Sequence, residues 1–322
     1  MRARWSFAVA VVTGMTLAIS ACGSASPGSI APRGPTATDP SSQPMATPTE
    51  ESWRSSAAFT PRTAEQSGAP LGYYEYLPPG YGEGDPRPLL VVLHGFDGGG
   101  DGSAGALPNL VEDGGIPTMI ANDAWPQDRP FVVLAPQHEN TTPPDGGEEY
   151  AACDEAEFVG SCVMEIQHGL GNPADRSPCM TPAEVHAFVA FAVTAYEVDP
   201  DRVYLSGISC GAYAAYEYAA QYGASEVAAM AVMAGDARWA WETSGCALGA
   251  LPIWAFQGDA DDAVDPAAAI DPIQNLIDCP SPPRQDVVLT VYPGVDHDSW
   301  TRTYDLSAGN DVYAWLLGFT RP

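Results

Sequence analysis

Residues 199–216 read DPDRVYLSGISCGAYAAY, and this stretch constrains the fold more than any other. Val203, Tyr204 and Leu205 favour a strand, Gly207-Ile208-Ser209-Cys210-Gly211 is a GxSxG turn, and the alanine-rich run after it favours a helix. A strand, a sharp turn and a helix in that order make a nucleophile elbow. The glycines leave room for the bend, and the serine is lifted above the end of a sheet. GxSxG alone is a weak signal in a chain with 32 glycines. The flanking strand and helix are what point to Ser209 as a nucleophile, and hence to serine hydrolase chemistry.

Other segments supply the sheet that such an elbow needs. Residues 88–93 (PLLVVL) and 130–136 (PFVVLAP) are continuous apolar runs of the kind buried on both faces of a parallel sheet. Residues 228–234, 251–256 and 287–292 read as further strands, and 71–77 (LGYYEYL) as an alternating one. Thr181-Pro182-Ala183-Glu184 is a capping box with proline at the first helical position, opening a helix to about Tyr196. Helices are also expected up to Ile277 and over residues 311–319. Strands alternating with helices imply an α/β domain with a doubly wound, mostly parallel sheet.

The amino-terminal residues belong to targeting rather than to the fold. Arg2 and Arg4, an uncharged apolar run over 5–19 and the small-residue site Ile19-Ser20-Ala21-Cys22, which resembles a bacterial lipobox, make 1–21 a lipoprotein-type signal peptide, with an ordinary secretory signal cut nearby as the alternative. Cys22 is then the lipidated first residue of the mature chain, which is expected to be exported and anchored by lipid to a bacterial cell membrane, outside the cytoplasm. Residues 22–63, rich in Pro, Ser, Thr and Ala, cannot bury enough apolar surface to fold and read as a disordered tether. The catalytic domain is expected over 64–322. The net charge of -28, with no lysine, repels phosphate backbones, so nucleic acid is not an expected partner.

An irregular insertion over 137–178 carries Cys153, Cys162 and acidic clusters, with Cys179 directly after it, and is expected to act as a partial cap beside the active site. Export fits the six remaining cysteines, an even number in an oxidising compartment. Cys246 and Cys279 bracket one strand, turn and helix unit and are one expected pair. Cys153 with Cys162 is the preferred second, leaving Cys179 and Cys210 as a pair or as buried thiols. No CxxC spacing or EF-hand pattern is present, so no metal is expected.

A serine nucleophile needs a base, and the base needs an acid to hold its tautomer. In a doubly wound sheet these partners belong in turns at the carboxyl ends of later strands. Of the five histidines, His297 alone follows a late strand. His138 and His168 lie in the insertion, His186 in the helix before the elbow, and His94 before a glycine-rich loop. That loop, GFDGGGDG, has neither GxGxxG spacing nor a Lys-Ser/Thr ending, which leaves an oxyanion role as its best reading. His94 is then structural. The turn after Phe256 offers several aspartates; Asp261 sits mid-turn, and Asp259 and Asp262 compete with it on physical grounds.

The pieces LHGFDGGG, DPDRVYLSGISCGAY, WAFQGDADDAVDP and GVDHDSWTRTYD, in this order, resemble the α/β-hydrolase superfamily over about residues 70–320. More narrowly they are similar to the esterase and peptidase group related to feruloyl esterases, polyhydroxybutyrate depolymerases and carboxylesterases. The resemblance implies Ser209 as nucleophile, Asp261 as acid and His297 as base, with the backbone N–H groups of Phe96 and Cys210 as the oxyanion hole. Gln257 stands where that group often has histidine, and Cys210 where Met or Gln is commoner. The expected activity is hydrolysis of small or polymeric carboxylic esters through an acyl-enzyme, by a monomer without a cofactor. A cell-envelope acyltransferase or a serine peptidase with the same triad are the alternatives; a non-catalytic surface binding module is a third.

Overall fold

The computed structural model describes residues 59–140, 153, 156–162, 179–280 and 286–321, all within the compact unit Pro48–Pro322. The expected signal peptide, Cys22, most of the tether and most of the 137–178 insertion, His168 included, lie outside the described residues. Among the described residues no helix is long and apolar enough to cross a membrane.

Among the described residues eight strands form one sheet: β1 (Phe59–Arg62), β2 (Tyr73–Tyr76), β3 (Arg87–Leu93), β4 (Val132–Pro136), β5 (Val198–Ile208), β6 (Ala229–Met233), β7 (Ile253–Gly258) and β8 (Val287–Tyr292). Their order is β1-β2-β4-β3-β5-β6-β7-β8. β1 pairs antiparallel with β2, and β2 antiparallel with β4. All later pairings are parallel, so β3 to β8 end on the same edge.

The apolar runs behave as their period demands. In β3, Leu89, Val91 and Leu93 enter one buried layer with Val132, Leu134, Val203 and Leu205. Leu90 and Val92 enter the opposite layer with Val133, Ala135 and Tyr204. Helices Pro182–Ala195, Cys210–Gln221 and Pro266–Ile277 complete the first layer through Phe188, Tyr216 and Ile273. Helices Gly115–Ala121, Trp300–Tyr304 and Val312–Leu317 complete the second through Ile116, Tyr304 and Leu316. Each of the fully buried leucines contributes about 1.5–3 kcal/mol of transfer free energy, so the two-sided burial of β3 fixes the centre of the sheet. The capping box forms as its sequence dictates: Thr181 Oγ1 accepts the Glu184 N–H, and the Glu184 carboxylate accepts the Thr181 N–H at 2.8 Å.

Two boundaries differ from the sequence reading. Residues 59–62, placed in the tether, form edge strand β1; Phe59 stacks on Tyr74 with ring centroids 4.4 Å apart, and Pro61 is tolerated at an edge. Gln137 and His138, placed in the insertion, are buried at the end of β4. The Gln137 amide donates to the Gly98 and Ala106 carbonyls and accepts the Gly102 N–H, bonding that an apolar-pattern reading cannot reveal. Three disulfides join Cys153 to Cys162, Cys179 to Cys210, and Cys246 to Cys279.

Candidate active site

The carboxyl ends of the parallel strands converge on Ser209. It sits between β5 and helix Cys210–Gln221 with φ 48° and ψ -118°, a left-handed conformation that costs a non-glycine residue about 1–3 kcal/mol. Two close approaches enforce the bend. A Cβ on Gly207 would lie 2.3 Å from the Gly211 carbonyl oxygen, and one on Gly211 would lie 2.2 Å from that of Leu93. The Ser209 N–H is held by the Met233 carbonyl at 2.9 Å, tying the turn to β6.

His297 Nε2 lies 2.9 Å from Ser209 Oγ, and its Nδ1 lies 2.9 and 3.0 Å from the two oxygens of Asp261. An ionised carboxylate only accepts, so Nδ1 carries the proton and Nε2 presents its lone pair to the serine hydroxyl. The Trp300 ring packs against His297, perpendicular to the imidazole with centroids 5.1 Å apart. The next residues fix the turn: Ser299 donates its N–H to the His297 carbonyl, and Asp298 caps Thr301.

The Asp261 side chain is fully buried. Its Oδ1 accepts the N–H groups of Ala263 and Val264, each at 2.9 Å, and its Oδ2 accepts the Gln257 amide at 2.8 Å. These donors replace the water that an ionised carboxylate loses on burial. The competing aspartates are placed elsewhere. Asp259 accepts the Gly294 N–H and ties the β7 turn to the β8 turn, and Asp262 is exposed. The two turns can touch because residue 258 is glycine: a Cβ there would lie 2.3 Å from the Val295 carbonyl oxygen. Among the described residues, no group of three or more His, Cys, Asp or Glu is placed to hold a metal ion.

The loop after β3 lies beside the elbow, since Leu93 pairs with Gly207. Phe96 opens a short turn, Phe96–Gly98, and its side chain is exposed. His94 is buried and holds the peptide between Gly95 and Phe96: its Nδ1 donates to the Gly95 carbonyl at 2.6 Å, and its Nε2 accepts the His138 N–H at 3.0 Å. A trans peptide aims its N–H opposite to its carbonyl, so this contact sets the direction of the Phe96 N–H. Burial pushes the His94 imidazole down to about 4, consistent with a neutral ring whose Nε2 accepts. Asp113 accepts the Gly95 N–H at 2.6 Å from the other side, and burial pushes its carboxyl up to about 6. The Asn140 amide donates to the Phe96 carbonyl. Cys210, bonded to Cys179, is the first residue of the elbow helix, where backbone N–H groups and the helix dipole favour negative charge.

The structure thus gathers Ser209, His297 and Asp261, and sets Phe96 and Cys210 at the ends of adjacent strands. His138 and His186 are not among them; they bond to Glu184 and Glu226. Gln257, Asp113 and Gly258 were not singled out for these contacts by the sequence. For Gln257 a signal existed, since it stands where the resembled group often has histidine, four positions before Asp261. Asp113, in an ordinary polar turn, gave none.

No family model matches this chain, and no curated protein does either. Solved structures do resemble it. A thermostable esterase superposes with a TM-score of 0.56 at 21% identity, covering 82% of this chain, which spans 63% of that protein's length. TT1662 from Thermus thermophilus gives 0.51 at 17% identity, covering 80% of this chain and 98% of that one. An S-formylglutathione hydrolase from Agrobacterium tumefaciens gives 0.50 at 16% identity, covering 80% and 93%. With its strand order, its single antiparallel edge and this likeness, the chain has the α/β-hydrolase fold.

Proposed function

We propose that this protein is a serine hydrolase that cleaves carboxylic esters through an acyl-enzyme on Ser209. The observation that carries the reading is the continuous hydrogen-bonded chain from Ser209 Oγ through His297 to a fully buried, four-donor Asp261. In the reaction Ser209 Oγ attacks the ester carbonyl while His297 Nε2 takes its proton. Asp261 keeps the imidazole in the productive tautomer and stabilises the imidazolium. The N–H groups of Phe96 and Cys210 serve as donors to the tetrahedral oxyanion, with His94 holding the peptide of the first and Asp113 the peptide before it. His297 returns the proton to the leaving alcohol, and water then releases the acid by the same route. Removing one such donor typically costs about 10²–10³ in kcat.

The lipobox-like segment ending at Cys22 supports placing this activity at the outer face of a bacterial membrane; loss of membrane association in Cys22→Ala tests that placement. The activity is tested with chromogenic esters from acetyl to long acyl chains, including a feruloyl ester, on the wild-type chain and on Ser209→Ala. Turnover by the wild type that is abolished in the variant is the expected result. Equal inertness of two folded proteins across the series would exclude the esterase reading.

A further inference from the structure

Asp261 is aimed by the peptides that follow it. Its Oδ1 accepts the N–H groups of Ala263 and Val264, so the direction of the carboxylate follows the path of the turn 261–265. A distant piece of chain grips that path on both sides of Val264. Gly160 donates its N–H to the Ala263 carbonyl at 2.8 Å. Ser161 Oγ accepts the Asp265 N–H at 3.1 Å, across 104 positions of sequence. Ser161 is buried, and the next residue, Cys162, is bonded to the buried Cys153. Val264 itself packs in a small buried cluster with Tyr213 and the Cys179 and Cys210 pair, next to the nucleophile.

Among the described residues Gly160 and Ser161 belong to no strand of the sheet, and both of these hydrogen bonds fall on the backbone of the turn 261–265. We propose that Gly160 and Ser161, held by the Cys153–Cys162 disulfide, form a positioning clamp for the triad: they fix the turn that directs Asp261 at His297. Ser161 bonds the backbone of the turn and acts through Asp261. The proposal rests on the reading of Ser209, His297 and Asp261 as a working triad. Because a misplacement of about 1 Å in a reacting geometry can cost about 10²-fold in rate, a loosened acid turn is expected to show in kcat before it shows in binding.

The third disulfide provides the control. Cys246 and Cys279 join the segment before β7 to the end of helix Pro266–Ile277 and make no described contact with the triad. The experiment compares Ser161→Ala, the double variant Cys153→Ser with Cys162→Ser, and the double variant Cys246→Ser with Cys279→Ser. Each is measured for kcat and KM on a short-chain ester, for thermal unfolding, and for the low-field proton resonance of the His297 Nδ1–H bonded to Asp261. Ser161→Ala and the Cys153/Cys162 variant are expected to lower kcat about 10- to 100-fold with KM within about twofold, and to shift or broaden that resonance. The control is expected to lose thermal stability with kcat and resonance unchanged. The proposal is overturned if Ser161→Ala keeps both the wild-type kcat and the wild-type resonance, or if the control lowers kcat as far as the clamp variants do. Should the Cys153/Cys162 variant fail to fold, Ser161→Ala decides. A wild type inert on every ester removes the esterase reading, and the resonance in Ser161→Ala then decides the clamp by itself.

Discussion

Replacing His94 with glutamine removes a titration that the fold has suppressed. In the folded chain the imidazole must be neutral, because Nε2 accepts the His138 N–H while Nδ1 donates to the Gly95 carbonyl. Burial lowers its pKa from 6.5 to about 4. Between those values the unfolded chain binds a proton that the folded chain refuses, so the stability tied to His94 is present above about pH 6.5 and is lost as pH falls. The full shift corresponds to about 3 kcal/mol at about 1.4 kcal/mol per unit, and about 2 kcal/mol of it is gone by pH 5. Glutamine does not titrate. At pH 7, His94→Gln is expected to be less stable than the wild type by about 1–3 kcal/mol, the cost of disturbed buried hydrogen bonds. By pH 5 that difference should shrink by about 2 kcal/mol. Urea unfolding at the two pH values, followed by tryptophan fluorescence, measures this double difference, and every other titrating group cancels between the two proteins. A difference that stays constant to within about 0.5 kcal/mol would refute the assignment of a neutral, accepting His94.

Asp113 carries the opposite sign: its carboxyl is raised from 3.8 to about 6, so the folded chain holds a proton that the unfolded chain gives up in that window, and stability falls as pH rises through it. Asp113→Asn should therefore gain up to about 3 kcal/mol relative to the wild type between pH 3.5 and pH 7, read from the same unfolding curves. Gly211→Ala places a Cβ 2.2 Å from the Leu93 carbonyl oxygen, and a loss of more than about 2 kcal/mol in unfolding free energy, or failure to accumulate as soluble protein, is expected. Gln257→Leu takes one donor from Asp261 and should lower kcat about tenfold with KM unchanged on a short-chain ester; an unaltered kcat would mean that the remaining donors suffice.

What the sequence disclosed and what it withheld divide along a physical line. The elbow was legible because its chemistry is local: a strand run, two glycines where backbones collide and a helix all lie within residues 199–216. The buried strands were legible because two-sided burial writes itself as an apolar run, and β3 shows both faces filled. His297 followed from position after a late strand. Asp261 could not be separated from Asp259 and Asp262 by spacing, because the choice depends on which carboxylate the Gly258 approach swings toward His297. Strand β1 was hidden by its short, proline-bearing sequence, which is held by the backbone of β2, the Phe59–Tyr74 stack and the Arg62–Glu75 ion pair. The contacts of Asp113 and Ser161 join residues 18 and 104 positions apart, and single-sequence patterns carry no trace of such pairings.

The central claim is that Ser209 is a nucleophile activated by His297. Its most direct test is covalent: the wild type, Ser209→Ala and His297→Ala are each treated with a fluorophosphonate, and the adduct is mapped by peptide mass spectrometry. The account predicts a single adduct on Ser209 in the wild type, none in Ser209→Ala, and labelling slowed by at least about 10²-fold in His297→Ala. A folded wild type that takes no label, or an adduct on any other residue at the same rate in all three proteins, would contradict it.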